Sequence, residues 1–438
     1  MNHDVAVIGA GPAGLAVAWW LRQAGLSVVV LEASGRAGGL IQTLDMHGVL
    51  LEQGPQSLRG AGLATSRLIQ EVGLASKVVP AAGTSKRRWV LHQGRLQSLP
   101  STLAEWIRGD VVDRSTVLRA LWEPFVRRGW KAGETLDHFI RRRFGPGVAE
   151  PFVDAFVGGI YAGDPRSLEA ESAFPSLVAA ERNFGSVIWG LWRNSGKAEP
   201  TGVPRGSVSF DDGVEMLPRA LAEGLGDDVR YNAPVRAVQP TPTGAEVHTD
   251  GAMVRASHVV VATPLPTACA LVPGWADVVG PMHHAPVAAV HLGWQAGRGP
   301  SMPGFGWLTA STERQDCLGT IWVSATFPHL AAGMDLVRVM VGGTRAPQLA
   351  TLSERALVHH AMDVVCRVQG VVPEPALAHV ARARPGIPQY LPGHAEMRRK
   401  LESHLPRVHP LGWGLTGVGL TQGFDSAFAL AQRIIAQG

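Results

Sequence analysis

The sequence predicts an α/β chain, α+β overall, from three observations. A short apolar run leads into a glycine-rich turn, a helix pattern and a second apolar run, all within the first 32 residues. Strand patterns return between 206 and 265 and continue beyond it. Between these, residues 101–200 read as mostly helical. At 438 residues the chain has room for two or three domains. Hydrophobic residues make up 46% and charged residues 17%, which supplies large cores and excludes a disordered chain.

The first element is Asp4 to Ile8, a continuous apolar run of the kind found in buried parallel strands. Gly9-Ala10-Gly11-Pro12-Ala13-Gly14 follows at once and matches G-x-G-x-x-G. A helix pattern runs from Ala13 to Ala24 and ends at Gly25, a C′ glycine. A second run, Val28 to Leu31, finishes at Glu32. Strand, glycine turn, helix, strand and acid stand in the order of a Rossmann dinucleotide site. Gly9 permits the tight turn, Gly11 leaves room for a pyrophosphate, and Gly14 lets helix and sheet approach. The helix N-terminus offers free N–H groups to phosphate. Glu32 can accept from both ribose hydroxyls. A second glycine pair, Gly38-Gly39, lets the chain pass close to a longer cofactor, and Arg36 can pair with a diphosphate.

Residues 56–100 combine a helix from Leu63 to Glu71, a strand at Trp89–Leu91, a turn at Gln93-Gly94 and a run from Leu96 to Pro100. Thr102 and Glu105 form a capping box, with Leu103, Trp106 and Ile107 on one helix face. Val117, Leu118, Leu121, Trp122, Phe125 and Val126 share another face, flanked by Arg114, Arg119, Arg127 and Arg128. Two readings stay open here: an interfacial segment with Trp and Arg at its rim, or a subdomain whose apolar faces pack inward. Arg141-Arg142-Arg143 closes a further helix and reads as a solvated face. A helix from Val214 to Leu225 and strands at 229–231, 235–238, 245–249 and 258–262 follow. Longer strands are predicted at 288–292, 319–325 and 336–342, with a helix near 353–369.

Composition narrows the partners. Lys+Arg 40 against Asp+Glu 36 leaves +4, too weak and scattered for nucleic acid but suited to an anionic small molecule or an anionic membrane surface. The three cysteines are far apart, so neither a disulfide framework nor a metal site is expected. The N-terminus shows no secretory pattern and no run of about 18 apolar residues occurs, so a cytoplasmic protein is expected, at most peripheral on the inner face of the cell membrane.

The acid-x-x-x-R-x-G-G run from Glu32, with Gly48, Glu52 and Gly54 after it, resembles the FAD-binding segment of monoamine-oxidase-like flavoproteins. A closer resemblance spans nearly the whole chain. Glu52-Gln53-Gly54-Pro55, Gly159 to Pro165 (Gly-Ile-Tyr-Ala-Gly-Asp-Pro), Ser172 to Pro175, Gly213 to Pro218 and Ile387-Pro388-Gln389-Tyr390 are similar to blocks of the protoporphyrinogen oxidase family, in that family's order. The resemblance implies an FAD-binding lobe from 1–84, 206–264 and 386–438. It implies a substrate domain from 85–100 and 265–385 and a helical, membrane-associating insertion at 101–200. It also implies six-electron oxidation of a porphyrinogen by a bound flavin, with O2 as acceptor. A homodimer is left open.

Carried over residue by residue, it places FAD contacts at Gly9, Ala10, Gly11, Pro12, Ala13, Gly14, Glu32, Arg36, Gly38, Gly39, Leu40, Gly54, Pro55, Gln56, Ser57, Gly417, Val418 and Gln422. Val235 would meet the adenine end. Arg88 would pair with a substrate propionate, Gly306 and Leu308 would line the macrocycle, and Met340 would lie beneath it. No catalytic side chain is expected, because the flavin carries the chemistry. The C-terminus departs from the family pattern. Either Gly417-Val418-Gly419-Leu420 is the family's flavin turn, or Leu415-Thr416-Gly417 is a strand end with a shortened turn; a helix is expected from about Asp425. Two rivals remain: oxidation of coproporphyrinogen, and a flavin-binding protein or membrane adaptor without activity.

Overall fold

The computed structural model describes residues 2–60, 62–99, 105, 114–149, 153–195, 202–314 and 316–437. Thr102, Leu103, Trp106 and Ile107, invoked above for a cap and a helix face, lie outside the described residues, as does Pro100.

The first sheet is built on Asn2–Ile8, whose apolar residues can be buried on both faces. Val28–Leu31 lies parallel on one side and Met253–Val261 parallel on the other. Val229–Arg230 and Val408–Pro410 extend the parallel part, and Gly244–Thr249 and Val235–Thr241 add an antiparallel pair. One face packs against the helices Pro12–Gln23, Leu63–Glu71, Met216–Leu225 and Leu420–Ile435. The other is covered by the antiparallel pair and by Leu265–Leu271, Trp275–Val279 and His394–His404.

The second sheet runs in the order Leu377–Pro388, His284–Trp294, Asp335–Gly342, Gly319–Trp322, Gly306–Thr309, Trp89–His92, Arg95–Ser98. Its Val290, Leu292, Val337, Val339, Trp307 and Trp322 pack under the helix Glu354–Gln369. The expected strand 319–325 stops early. Trp322 ends the ladder, and Val323–Thr326 forms a helical turn whose Ser324 Oγ accepts from Leu336 N–H at 3.1 Å.

The helical insertion comprises Arg114–Leu121, Leu136–Phe144, Asp154–Tyr161, Pro175–Phe184 and Val187–Ser195. Thr135 caps the second of these through its side chain, and Gly145 ends it at φ 94°. The arginine triplet is not a solvated face. Arg143 is wholly buried and donates from Nε to Glu123 Oε1 at 2.6 Å. Arg142 bridges Glu134 and Glu181 at 2.9 and 2.8 Å, and Arg141 pairs with Asp137 at 2.8 Å. These carboxylates stand up to 39 residues away, so sequence adjacency did not reveal them. Glu123 also accepts from Ser186 Oγ and from the N–H groups of Val187 and Ile188, which caps the last helix. On the outer side, Leu118, Leu121, Trp122, Phe125, Ile188, Trp189, Leu191 and Trp192 are exposed, while Val117 faces in.

Candidate cofactor and substrate site

The glycine turn carries the geometry expected of an anion cradle. Gly9 has φ +101°, and a Cβ on Gly14 would stand 2.1 Å from the Gly9 carbonyl oxygen. Pro12 and Ala13 open the helix, with Gly11 at the N-cap, no side-chain cap and no acid in the first turn. The helix end is therefore free for an anion. The second glycine pair folds onto the first turn. Gly38 N–H donates to the Ala10 carbonyl at 2.8 Å, and Gly39 packs against Gly11. Gly54 in turn packs against the Leu40 carbonyl. Positions 11, 39, 40 and 54 thus meet in space, with Leu40 exposed and Pro55 and Ser57 half-buried beside them.

Glu32 ends the second strand. Its Oε2 accepts from Ala10 N–H at 2.8 Å, and its Oε1 accepts from Ser34 N–H and Oγ, both at 2.8 Å. A carboxylate has about four acceptor sites, so Oε2 retains one. A cavity of about 230 Å³ opens beside it, lined by Leu31, Asn232, Pro234, Thr249 and Gly251 among others. Val235 follows Pro234 and pairs with Thr249, at the cavity's edge. The room suits a purine-sized group.

Arg36 and the C-terminus both show contacts that the sequence did not reveal. The Arg36 guanidinium is turned onto its own loop, donating to the carbonyls of Ala37, Gly39 and Ile41, with Glu215 at 3.7 Å. The tight glycine turn exposes those carbonyls, and Arg36 satisfies them. At the C-terminus, Leu415-Thr416-Gly417 is no strand end, because Trp413–Thr416 is a helical turn and the strand is Val408–Pro410. The last helix starts at Leu420, five residues before the expected Asp425. Gly417-Val418-Gly419-Leu420 therefore precedes and opens it. Gln422 folds back, and its Oε1 accepts from Gly419 N–H at 3.0 Å. Gly417 N–H donates to the Tyr390 hydroxyl at 3.0 Å, and Val418 packs toward the helical insertion.

The second sheet turns one face away from its covering helix. Leu308 pairs with Gly319, and Gly319 with Met340, so the three form one cross-strand row. Gly319 has φ +153°, and a Cβ there would stand 2.4 Å from the Trp307 carbonyl oxygen and 3.2 Å from Leu308 Cδ2, so the strands approach closely between two large apolar side chains. The Leu308 side chain also touches Gly159 of the insertion. The next row runs Gly306, Ile321, Arg338, His291, His379. Arg88 stands at the strand edge, with its guanidinium 5.2 Å from the Phe305 ring centroid. Desolvation and then the like charge of Arg59 lower its pKa, and no carboxylate among the described residues pairs with it.

A family profile described as flavin containing amine oxidoreductase matches residues 12–435. Protoporphyrinogen oxidase of Homo sapiens is 31% identical, with 99% of each chain covered. The chain belongs to this flavin oxidoreductase family, among its protoporphyrinogen oxidases. The chloroplastic/mitochondrial protoporphyrinogen oxidase 2 of Arabidopsis thaliana is 27% identical over 99% of this chain and 94% of that one. Among solved structures, a candidate protoporphyrinogen oxidase from Exiguobacterium sp. 255-15 superposes with TM-score 0.82 at 22% identity, covering 99% of both chains. Cyclohexylamine oxidase from Brevibacterium oxydans IH-35A superposes with TM-score 0.76 at 16% identity, covering 100% and 99%. These two likenesses establish the fold. Family membership makes the protein an FAD-dependent oxidoreductase. The glycine cradle, the acid and the cavity beside it fit that cofactor.

Sequence reasoning missed one group of side chains. Glu52 is 1% exposed, accepting from Val214 N–H at 2.8 Å and Thr43 Oγ1 at 3.0 Å. Burial pushes its carboxyl up to about 7. Burial also lowers Arg338, to about 10, and holds His291 well below its usual range. The available signal was an arginine in mid-strand, in Leu336-Val337-Arg338-Val339-Met340.

Proposed function

We propose that this chain oxidises protoporphyrinogen IX to protoporphyrin IX in porphyrin and haem biosynthesis. The reaction removes six electrons and six hydrogens in three rounds, and three O2 become three H2O2. Bound FAD supplies the hydride acceptor in each round and hands the electrons to O2. The protein's part is to place the macrocycle and keep water out. The apolar row of Leu308, Gly319 and Met340 suits the face of a flat tetrapyrrole. Arg88, a cation without a counter-ion among the described residues, suits a propionate at the rim. The Leu308–Gly319–Met340 row carries this reading, together with the full-length kinship to protoporphyrinogen oxidases. The test is anaerobic mixing of the yellow protein with each porphyrinogen in turn. Protoporphyrinogen should bleach the flavin. Bleaching by coproporphyrinogen alone, or by neither, would overturn the assignment.

We also infer a peripheral seat on an anionic membrane from the cytoplasmic side. Its support is the outward set of Trp122, Phe125, Trp189 and Trp192, with Phe125 72% and Trp192 66% exposed. Trp favours the headgroup level, and arginines flank the patch. Vesicles of anionic lipid should sediment the protein, more so at low salt. A concentration-dependent dimer without vesicle binding would assign the patch to a second copy instead.

A further inference from the structure

Arg338, His291 and His379 stand in one row across three neighbouring strands of the second sheet. All three reach the segment 52–56 of the first lobe. His379 Nε2 lies 2.8 Å from Gln53 Oε1, and His291 Nε2 lies 3.1 Å from the Glu52 carbonyl oxygen. Arg338 donates from Nη2 to the Gly54 carbonyl at 2.6 Å and from Nη1 to Gln56 Oε1 at 3.2 Å. The Glu52 carboxylate is engaged by Val214 and Thr43 rather than hydrogen-bonded to Arg338.

Two donors in this cluster are left over. Arg338 is 3% exposed and Gln56 7%, and neither Arg338 Nε nor Gln56 Nε2 has an acceptor among the described residues. Buried donors are nearly always paired, and two unpaired ones on touching side chains point to an acceptor that binds there. Their position limits what it is. Gln56 belongs to the loop Gly54–Ser57 that packs on the glycine cradle through Leu40. Arg338 and Met340 are two residues apart and share a face of their strand. The guanidinium therefore lies between the cofactor lobe and the apolar row of Leu308, Gly319 and Met340.

We propose that Arg338 and Gln56 form a positive, hydrogen-bond-donating wall of the flavin site. Their two free N–H groups meet a carbonyl or ring-nitrogen acceptor of bound FAD, and the guanidinium charge favours the more negative, reduced state of the cofactor. This rests on the FAD-dependent reading above. It gives Arg338 a role in setting how readily the cofactor accepts electrons, besides holding the Gly54 loop.

The experiment is the midpoint potential of the flavin in the full-length holoprotein, for wild type, R338Q, R338K and Q56L. In R338Q the preference for reduced over oxidised flavin should fall about tenfold, a drop of about 30 mV for a two-electron couple. R338K should restore most of it. Q56L, which removes a neutral donor and keeps the charge, should give a smaller drop. An unchanged potential in flavin-loaded R338Q overturns the proposal and leaves Arg338 as a clasp on Gly54. If R338Q holds no flavin, an unchanged potential in Q56L overturns it just as well. A wild-type protein that binds no flavin refutes the FAD reading itself and shows before any variant is made.

Discussion

The first lobe keeps Val5, Val7, Leu15, Val17 and Val30 inside, whereas the helical insertion keeps Glu123, Arg143 and Glu181 inside and sets Trp122, Phe125, Trp189 and Trp192 outside. Both regions are folded, but they answer to different surroundings. In the lobe, burial of apolar area is the main stabilising force, at about 25 cal/mol per Å². In the insertion, a hydrogen-bonded ion network holds the helices in register and frees their large apolar side chains to face away. The insertion also buries Leu136, Phe139, Ile140, Val157 and Tyr161, so its exposed rings lie outside an apolar core as well as an ion network.

Breaking the ion network should have the largest effect. Glu123→Ala strands the buried Arg143 charge and should lower stability by about 3–5 kcal/mol, read by calorimetry. The joint exchange of Glu123 and Arg143 for Met should be far milder, since the loss comes from the uncompensated charge. An equal loss in both would mean the network matters through packing. In the lobe, Gly14→Ala drives a Cβ into the Gly9 carbonyl and should cost about 1–3 kcal/mol, with bound flavin lost from the visible spectrum. At the proposed substrate site, Arg88→Ala should raise KM for protoporphyrinogen by roughly ten- to hundredfold while vesicle binding is unchanged. An unaltered KM removes Arg88 from the site. The paired change Phe125→Ser and Trp192→Ser should weaken vesicle binding by about tenfold, near 1.4 kcal/mol, and leave the melting temperature almost where it was.

A further expected change is a slope. Glu52 is a buried acid in the lobe without a hydrogen-bonded cation, and its pKa is raised to about 7 from 4.5. Above pH 4.5 the unfolded chain releases this proton while the folded one keeps it. Stability should therefore fall as pH rises toward 7, by at most about 1.4 kcal/mol per unit, and level off beyond. Glu52→Gln should flatten that limb in a melting series from pH 4.5 to 7.5. A slope that persists in E52Q would assign the pH dependence elsewhere.

Local pattern made the lobe legible. The Asn2–Ile8 strand, the helix after Gly11 and the strand ending before Glu32 each follow from short-range periodicity and turn chemistry. The Leu63–Glu71 helix and the Gln93-Gly94 turn, both residues at positive φ, were readable for the same reason. What failed to show depends on partners distant in the chain. Arg143 reads as solvated until Glu123 and Glu181 are brought to it. Arg338, His291 and His379 lie far apart in sequence and become a row only through strand pairing. The start of the last helix was missed because Gly419 caps it and Gln422 reaches back, a glycine-rich stretch that reads as loop. The loop contacts of Arg36 were not readable because its acceptors are main-chain carbonyls, which carry no sequence signature.

The outward tryptophans of the insertion bear on the life of each newly made copy. On the proposed membrane seat, the exposed rings of Trp122, Phe125 and Trp189 can meet those of another copy before a bilayer covers them. A preparation without amphiphile should therefore grow in particle size as it is concentrated, while its colour and secondary structure stay constant. On the membrane seat proposed above, replacing the rings to improve handling would also weaken attachment to the bilayer.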